Sequence, residues 1–253
     1  MADFRQSKPH IVLLDSPEDL ASRALTLFVD AAERAIRSRG RFFVAISGGR
    51  TPAVFFELLV EAEASKQLQW DCVEIFWVDE RCVRPDDRDS NYRLADELFL
   101  SRVPLNPENI HRIPAELSDP ELAAAKYSEM ICDAFGIADG SAAVFDLIVL
   151  GMGTDAHIAS LFPGFETINE TDKLAAAVRL PDPGLDRVTL TKPVITAAEH
   201  IVILISGSDK ARTLSAVLKS GPDEHKYPVH ILWPVLDKVT WLVDNEAGRF
   251  IAP

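Results

Sequence analysis

The stretch Phe145-Asp146-Leu147-Ile148-Val149-Leu150 runs directly into the turn Gly151-Met152-Gly153-Thr154-Asp155-Ala156-His157. A continuous apolar block of this kind is typical of a parallel strand that is buried on both faces of a sheet. The turn after it carries two glycines, and His157 follows Asp155 by two residues. An imidazole beside a carboxylate has the parts of a general base with an orienting partner. This strand end therefore predicts an α/β fold and a candidate catalytic pair, Asp155 and His157.

Similar apolar blocks alternate with helical patterns along the chain. Together with Phe145–Leu150, the strand candidates are His10–Leu14, Phe42–Ile46, Val73–Val78, Arg187–Thr191, Ile201–Ile205 and Val239–Asp244. Helix start signals occur between them at Ser16-Pro17, Thr51-Pro52, Ser90, Asp119-Pro120 and Ser208. Strand–helix–strand alternation favours right-handed crossovers between parallel strands. We predict a single α/β domain over residues 1–253, with a mainly parallel, Rossmann-like doubly wound sheet and helices on both faces. The less regular stretch Thr167–Asp186 is expected to be an excursion over the site.

Composition excludes several classes of partner. The chain has 253 residues, 47% of them hydrophobic, and a formal net charge of −13. Nucleic acids and anionic membranes both need a basic surface, so neither is expected as a partner. Three scattered cysteines, Cys72, Cys82 and Cys132, disfavour a disulfide framework or a zinc site. The start MADFRQSKPHIVLL lacks a signal-peptide core, and no apolar run reaches the ~18–20 residues of a membrane span, so we expect a cytoplasmic protein.

Ligands of open parallel sheets bind beyond the carboxyl ends of the strands, so the loops after strands are the informative places. The strand Phe42–Ile46 is followed by Ser47-Gly48-Gly49-Arg50-Thr51-Pro52. The two glycines allow the backbone to approach a ligand closely, and the free amides of the next helix form a ready anion site. A plain strand–helix turn explains the same residues.

The strand Val73–Val78 is followed by Asp79-Glu80-Arg81, and Ser90-Asn91 comes shortly after. Three charged residues at the end of a buried strand need partners or a solvated cleft. The guanidinium of Arg81 suits bidentate binding of a phosphate. The alternative is an ion-paired rim in which Asp79 or Glu80 neutralises Arg81.

A fourth strand end, after Ile201–Ile205, carries Ser206-Gly207-Ser208-Asp209-Lys210. Lys210 lies in the first predicted helical turn, where a cation is unfavourable unless it meets an anion. A solvated lysine beside Asp209 is the alternative. Arg187, at the start of another predicted strand, is a similar candidate. Basic residues at several strand ends therefore predict a site for a small anionic ligand.

Residues Gly151–Ala156 also match the dinucleotide-binding pattern G-x-G-x-x-A, with Glu170 and Asp172 following. We discount this interpretation, because Pro163-Gly164 leaves room for only about two helical turns where the pattern needs a long helix. The sequence contains no nucleophile elbow, no zinc-protease motif and no Cys–His metal spacing. The residues alone thus predict an enzyme or binding protein for a small phosphorylated metabolite, with proton transfer around His157.

The same segments, in the same order, resemble the 6-phosphogluconolactonases, hydrolases of the oxidative pentose phosphate pathway. The resemblance also includes Ser160-Leu161-Phe162-Pro163-Gly164 and Arg187-Val188-Thr189-Leu190-Thr191, and it covers nearly the whole chain. The family usually has Asp-Gly-His-Thr-Ala-Ser, whereas this chain has Ala156 and Ile158. Alanine costs about 1 kcal/mol if position 156 needs a left-handed backbone. His-Ile-Ala is similar to the related glucosamine-6-phosphate deaminases, which lack Asp-Glu-Arg and Ser-Leu-Phe-Pro-Gly.

The resemblance implies hydrolysis of 6-phospho-D-glucono-1,5-lactone to 6-phosphogluconate. His157 would take a proton from the attacking water and then protonate the leaving ring oxygen, while Asp155 would orient His157 or hold sugar hydroxyls. Neither a metal nor an organic cofactor is expected, because a lactone is already an activated ester. Arg81, Arg187 and Lys210 would bind the phosphate or the oxyanion. The implied substrate-binding residues are Gly48, Gly49, Thr51, Asp79, Arg81, Asn91, Gly151, Gly153, Arg187 and Lys210.

Two alternatives stay open at this point. One is a deaminase-like sugar phosphate enzyme on the same scaffold, and the other is a sugar phosphate-binding protein without catalysis. In each case the expected partner is a small phosphorylated sugar, a sugar lactone for the favoured reaction. The chain is expected to be a monomer or a homodimer.

Overall fold

The computed structural model describes residues 8–138 and 140–251. The first seven residues, which include half of the segment used to judge a signal peptide, lie outside the described residues. Within the described ranges, no helix is both long and apolar enough to cross a bilayer.

Seven parallel strands form the central sheet, and the predicted fold class is confirmed. In spatial order the strands are β1 His10–Leu14, β10 Val239–Asp244, β9 Ile201–Ile205, β6 Leu147–Gly151, β2 Phe42–Ile46, β3 Val73–Trp77 and β5 Ile110–His111. Every residue of β3 and β9 is buried, as expected for strands that are covered on both faces.

A second, antiparallel sheet of three strands lies beside the first. It consists of β4 Asp79–Arg81, β8 Arg187–Leu190 and β7 Ala175–Val178. Two predictions are corrected here: Arg187–Thr191 does not join the parallel sheet, and Asp79-Glu80-Arg81 is a strand rather than a loop. The cause is Val78, whose N–H donates to Ile46 O in the large sheet and whose carbonyl accepts from Leu190 N in the small one. The chain therefore passes from one sheet directly into the other.

The helices with predicted start signals begin close to those signals. The helices are α1 Pro17–Arg39, α2 Arg50–Glu61, α3 Glu63–Lys66, α4 Asn91–Leu98, α5 Pro120–Phe135, α6 Lys192–Ala197, α7 Ala211–Lys219 and α8 Asn245–Gly248, with short 3₁₀ segments at Trp70–Cys72, Leu100–Arg102, Pro107–Asn109, Glu166–Asn169 and Pro228–Lys238. Ser16 and Ser90 cap α1 and α4 by accepting hydrogen bonds from backbone amides. The helix predicted to open at Ser208 begins three residues later, because Ser208–Lys210 forms a turn.

Strand β2 shows that helices cover both faces of the large sheet. Phe42 packs edge-to-face on Phe28 of α1, with 5.2 Å between ring centroids. The next residue, Phe43, stacks on Phe135 of α5 at 4.2 Å. Because successive strand residues point to opposite faces, α1 and α5 lie on opposite sides of the sheet.

The order of the strands reverses beside β2. After β2 the chain adds β3 and β5 on one side, and it then returns to place β6, β9 and β10 on the other. At such a switch point the loops after the two neighbouring strands leave a crevice beyond their carboxyl ends. The crevice of this chain is therefore expected between the loops after Ile46 and Gly151, the last residues of β2 and β6.

A tyrosine completes the edge of the sheet where a strand stops short. Strand β5 pairs with β3 only at Ile75 and Phe76, so the backbone of Trp77 has no strand partner on that side. The hydroxyl of Tyr127, on α5, accepts from Trp77 N at 2.9 Å and donates to Trp77 O at 2.7 Å. Tyr127 is fully buried, and burial raises the pKa of its hydroxyl.

The substitution Tyr127→Phe should destabilise the protein by about 1–3 kcal/mol, because it leaves a buried backbone donor and acceptor without partners. Urea denaturation measures the change. Tyr227→Phe, which removes the same hydroxyl from a half-buried ring beside Lys226, should stay within about 0.5 kcal/mol. Equal effects of the two substitutions would show that the Tyr127 hydroxyl does not replace a strand partner.

Candidate functional site

A cavity of about 450 Å³ opens at the switch point, beyond the carboxyl ends of the parallel strands. The loops after β2, β6 and β9 and the strand β4 supply most of its lining. Of the predicted site residues, the lining includes Gly48, Gly49, Thr51, Asp79, Arg81, Asn91, Gly151, Gly153, His157 and Lys210. Asp155 and Arg187 lie outside it. No lining residue comes from Thr167–Asp186, all of which is described, so the prediction of an excursion over the site is wrong; its strand β7 belongs to the small sheet.

The turn between β2 and α2 needs its glycines for two different reasons. Gly49 has a φ of 104°, a left-handed conformation that side chains rarely adopt. At Gly48 a Cβ would lie 2.0 Å from Oδ1 of Asn91, so only glycine leaves room for that side chain. The first residues of α2, Arg50–Pro52, line the cavity, and the unpaired amides at a helix N-terminus favour an anion there.

Glu80 is a buried carboxylate that holds the start of α4. It accepts hydrogen bonds from Ser90 Oγ, from the backbone amides of Asn91 and Tyr92, and from the amide of Arg81. Burial raises the pKa of Glu80, and these hydrogen bonds oppose the shift. Within the described ranges Glu80 forms no ion pair with a guanidinium, so the alternative of an ion-paired rim does not describe this residue. The guanidinium of Arg81 donates instead to Asp89 O at 2.5 Å.

Asp79 and Asn91 form a polar wall of the cavity. Asp79 Oδ2 accepts from Ser160 Oγ at 2.6 Å, and Asn91 Nδ2 donates to Asp79 O at 2.9 Å. Asn91 Oδ1 is buried and, within the described part of the chain, has no hydrogen-bond partner. The same holds for Ser47 Oγ, which also faces this cavity. Buried polar atoms without partners cost stability, so both atoms are suited to receive a polar ligand.

His157 and Asp155 form a hydrogen-bonded pair in the loop after β6. Nδ1 of His157 lies 2.6 Å from Asp155 Oδ1, which also accepts from the His157 amide at 3.2 Å. Partial burial acts to raise the pKa of Asp155, but the hydrogen bonds and charge of His157 outweigh it, and the net pKa is lowered. An ionised Asp155 accepts a hydrogen bond from Nδ1–H of His157, which leaves the lone pair on Nε2 for chemistry. The imidazole side chain is 32% exposed, so water can reach it.

The backbone of this loop is shaped around the imidazole. A Cβ on Gly153 would lie 2.2 Å from Nδ1 of His157, so the second glycine of the turn is required by close approach. Ala156 has a φ of 69°, so this position, where glycine is expected from the resemblance, is left-handed in this chain. Residues 152–165 form turns and a single β-bridge between Ile158 and Leu161 rather than a helix. A dinucleotide-binding helix is therefore absent at this described segment, in agreement with our interpretation of the motif.

The loop after β9 is held by a buried acid that sequence reasoning missed. Asp244, at the end of β10, accepts from Ser206 Oγ at 2.5 Å and from Gly207 N at 3.0 Å. Gly207 has a φ of 98°, and its carbonyl accepts from Lys210 N at 3.1 Å. Asp79 is a candidate because it follows an apolar strand, and the same pattern at the end of Val239–Asp244 identifies Asp244.

Three cations and two acids line the cavity: Arg50, Arg81, Lys210, Asp79 and Asp209. Asp209 Oδ2 lies 3.7 Å from Arg50, and Asp79 is bound by Ser160. Among the described residues, no carboxylate forms an ion pair with Arg81 or Lys210. These two charges are therefore available to an anion.

Arg187 lies beside Arg81 on the neighbouring strand and does not line the cavity. The two residues are directly opposite in the antiparallel pair β4–β8. Burial lowers the pKa of Arg187, and the neighbouring Arg81 lowers it further. Its Nε is buried without a partner in the described structure. The structure thus brings Arg187 close to the cationic wall, but not into contact with the cavity.

The fold and the cavity together define an α/β protein with a ligand site at the switch point of a doubly wound sheet. The sequence profile of the family described as glucosamine-6-phosphate isomerases/6-phosphogluconolactonase matches residues 15–241. The chain belongs to this family. Within the residues that the structure describes, no group of three or more His, Cys, Asp or Glu side chains is placed to hold a metal ion.

Named relatives indicate which group within this family the chain resembles. The 6-phosphogluconolactonase of Nostoc sp. is 37% identical over 95% of this chain and 98% of its own length. That of Synechocystis sp. is 34% identical over 97% and 99%. The solved 6-phosphogluconolactonase from Trypanosoma cruzi superposes with a TM-score of 0.84 at 26% identity, over 97% of this chain and 98% of that one. The predicted resemblance to this group of lactone-hydrolysing enzymes is confirmed. A monomeric glucosamine-6-phosphate deaminase shares the fold, with a TM-score of 0.79 at 20% identity.

The substitution Gly48→Ala should destabilise the protein by about 1–3 kcal/mol, because the new methyl group displaces Asn91 from its place. Gly221→Ala is a matched control, since a Cβ there meets nothing within 4 Å and the backbone is not left-handed. The control should be neutral or stabilising by up to about 1 kcal/mol. Urea denaturation of both variants tests this, and equal stabilities would contradict the close packing of Gly48 and Asn91.

Proposed function

We propose that this protein hydrolyses 6-phospho-D-glucono-1,5-lactone to 6-phosphogluconate, with His157 as the general base. The observation that carries the proposal is a hydrogen-bonded Asp155–His157 pair whose imidazole lines the same cavity as Arg81 and Lys210. An imidazole beside free cations suits a substrate that has both a hydrolysable carbonyl and an anionic group. The relatives named 6-phosphogluconolactonase support this substrate.

The proposed reaction uses one nitrogen twice. Nε2 of His157 accepts a proton from water as the water oxygen attacks C1 of the lactone. The tetrahedral intermediate then collapses with cleavage of the bond between C1 and the ring oxygen, and the imidazolium returns the proton to that oxygen. Asp155 keeps the proton on Nδ1 and stabilises the imidazolium, as the lowered pKa of its carboxyl allows. One residue thus serves as base and then as acid, and no second catalytic group is needed.

In this proposal the other residues that line the cavity bind the substrate. Lys210 and Arg81 are the cations for the phosphate and for the developing oxyanion, and the amides that open α2 add a positive dipole end. Arg187 supports this wall through its position opposite Arg81. The Asp79 carboxylate and Asn91 Oδ1 accept hydrogen bonds from sugar hydroxyls. A cytoplasmic location and a monomeric or homodimeric state stay predictions.

The alternatives from the sequence are separated by simple assays on the wild-type protein. Release of ammonia from glucosamine 6-phosphate would identify a deaminase. Binding of 6-phosphogluconate without lactone turnover would identify a protein that binds a sugar phosphate but does not catalyse. Either result would contradict the proposed reaction.

The substitution His157→Ala should lower kcat for the lactone by ~10²–10⁴, the usual contribution of a general base. Lactone disappearance is followed against its spontaneous hydrolysis. His225→Ala removes an exposed imidazole outside the cavity and should leave the rate unchanged. A loss of less than ~10-fold in His157→Ala would contradict the role of general base.

The substitution Lys210→Ala should raise KM for the phosphorylated lactone by ~10-fold or more, since a hydrogen bond to a charged group contributes about 1.5–3 kcal/mol. The unphosphorylated 1,5-gluconolactone should show no comparable loss if Lys210 binds the phosphate. Lys219→Ala, at the exposed end of α7, is the control. Equal losses for both lactones would assign Lys210 to the oxyanion instead.

A further inference from the structure

A second cavity, of about 520 Å³, lies at the opposite edge of the large sheet. It is lined at the amino ends of the strands, by Leu147 of β6, Ile201 of β9 and Val239 of β10. Strands β6 and β9 run from this cavity to the first one, which contains Gly151 and Leu204. At ~3.3 Å per residue, the two cavities are about 7–13 Å apart along these strands, from Val202 to Leu204 at the least and from Leu147 to Gly151 at the most. The second cavity is therefore a separate place on the molecule.

The rim of this cavity concentrates positive charge in an acidic protein. Lys8, Arg34 and Lys238 lie in its lining with two histidines, His10 and His200, against a single acid, Asp237. The chain as a whole carries a formal charge of −13. The charge around this cavity is therefore positive, whereas the net charge of the chain is negative.

These cations face the cavity rather than neighbouring acids. Among the described residues, neither Arg34 nor Lys238 forms an ion pair with a carboxylate. Lys238 donates to the carbonyl of Ala197 at 3.5 Å. Burial lowers the pKa of His200, the charges of Arg34 and Lys238 lower it further, and Glu199 opposes them. Arg34 and Lys238 thus act on the same imidazole.

The floor of the cavity is apolar. Its residues are Leu27 and Ala31 on α1, Val202 on β9 and Leu236 in the 3₁₀ segment Pro228–Lys238. A volume of 520 Å³ falls within the range of small-molecule sites, which combine apolar walls with a few polar groups that fix orientation. Water solvates the cationic side chains well, but it does not interact favourably with the apolar side chains. A ligand with both an anionic and an apolar part suits the whole surface.

We propose that this cavity is a second binding site, for a small organic anion in which a phosphate or carboxylate is carried on an apolar body. Arg34 and Lys238 bind the anionic group, and the apolar body lies against Ala31 and Leu236. The site is independent of the proposed lactonase reaction, because it shares no lining residue with the first cavity.

Isothermal titration calorimetry with phenyl phosphate tests the proposal, with benzoate, inorganic phosphate and benzyl alcohol as comparisons. Phenyl phosphate or benzoate should bind the wild-type protein more tightly than inorganic phosphate or benzyl alcohol, since only the first two combine charge and ring. The double variant Arg34→Ala/Lys238→Ala should weaken binding by ~10-fold or more, as expected for losing charged hydrogen bonds. Arg34 is exposed and Lys238 is half-buried, so urea denaturation is used to confirm that the variant is folded.

Two control variants distinguish this site from other sources of binding. Arg37→Ala removes an exposed cation from the same helix, α1, outside the cavity, and should leave the affinity unchanged. Lys210→Ala removes a cation of the first cavity and should keep the binding that Arg34→Ala/Lys238→Ala loses, whether or not the first cavity also binds phenyl phosphate. Loss of binding in Lys210→Ala but not in Arg34→Ala/Lys238→Ala would place phenyl phosphate in the first cavity and overturn the proposal. No binding to the wild-type protein, or equal binding of benzyl alcohol, would also overturn it.

Discussion

The reversal of strand order between β2 and β6 is the constraint on which the whole site depends. Ile46, the last residue of β2, pairs in register with Val149, and β6 continues for two more residues to Gly151 before its loop begins. Both loops then have to pass large side chains at close range, and glycine is what allows it. Gly48 makes room for Asn91 in one loop, and Gly153 makes room for His157 in the other. The crevice is thus a consequence of topology, and the glycines decide which side chains can enter it.

Buried carboxylates hold the loops around this crevice. Glu80 accepts hydrogen bonds from the start of α4, and Asp244 accepts hydrogen bonds from the loop after β9. Burying a carboxylate is costly, and charge-assisted hydrogen bonds from amides and hydroxyls offset part of the cost. The raised pKa of Glu80 shows that burial outweighs its hydrogen bonds there. Because these acids are occupied by loop backbone, they fix the positions of Asn91 and Lys210 without presenting a free negative charge to a ligand.

The sequence predicts the parallel sheet well because most of its strands are long apolar blocks. It misses β5, which has only two residues, and β7, Ala175–Val178, which is mostly alanine and has little strand preference. The site residues after β2, β6 and β9 are predictable, since carboxyl ends of parallel strands meet at one edge. The contact between Ser206 and Asp244 is not, because it joins positions 38 residues apart and leaves no local pattern. The same holds for Arg187, whose place is set by a second sheet that the strand pattern did not separate.

The charge balance requires that recognition of an anion in this protein be local. A net charge of −13 repels a phosphorylated substrate at long range. Salt screens such forces beyond ~8–10 Å, so groups at contact distance decide the bound state. In the first cavity Asp79 and Asp209 are already engaged, by Ser160 and Arg50, which leaves Arg81 and Lys210 without carboxylate partners in the described structure. Acids elsewhere on the surface therefore influence the rate of encounter, whereas in the proposed function the affinity comes from Arg81 on β4 and Lys210 in the loop after β9.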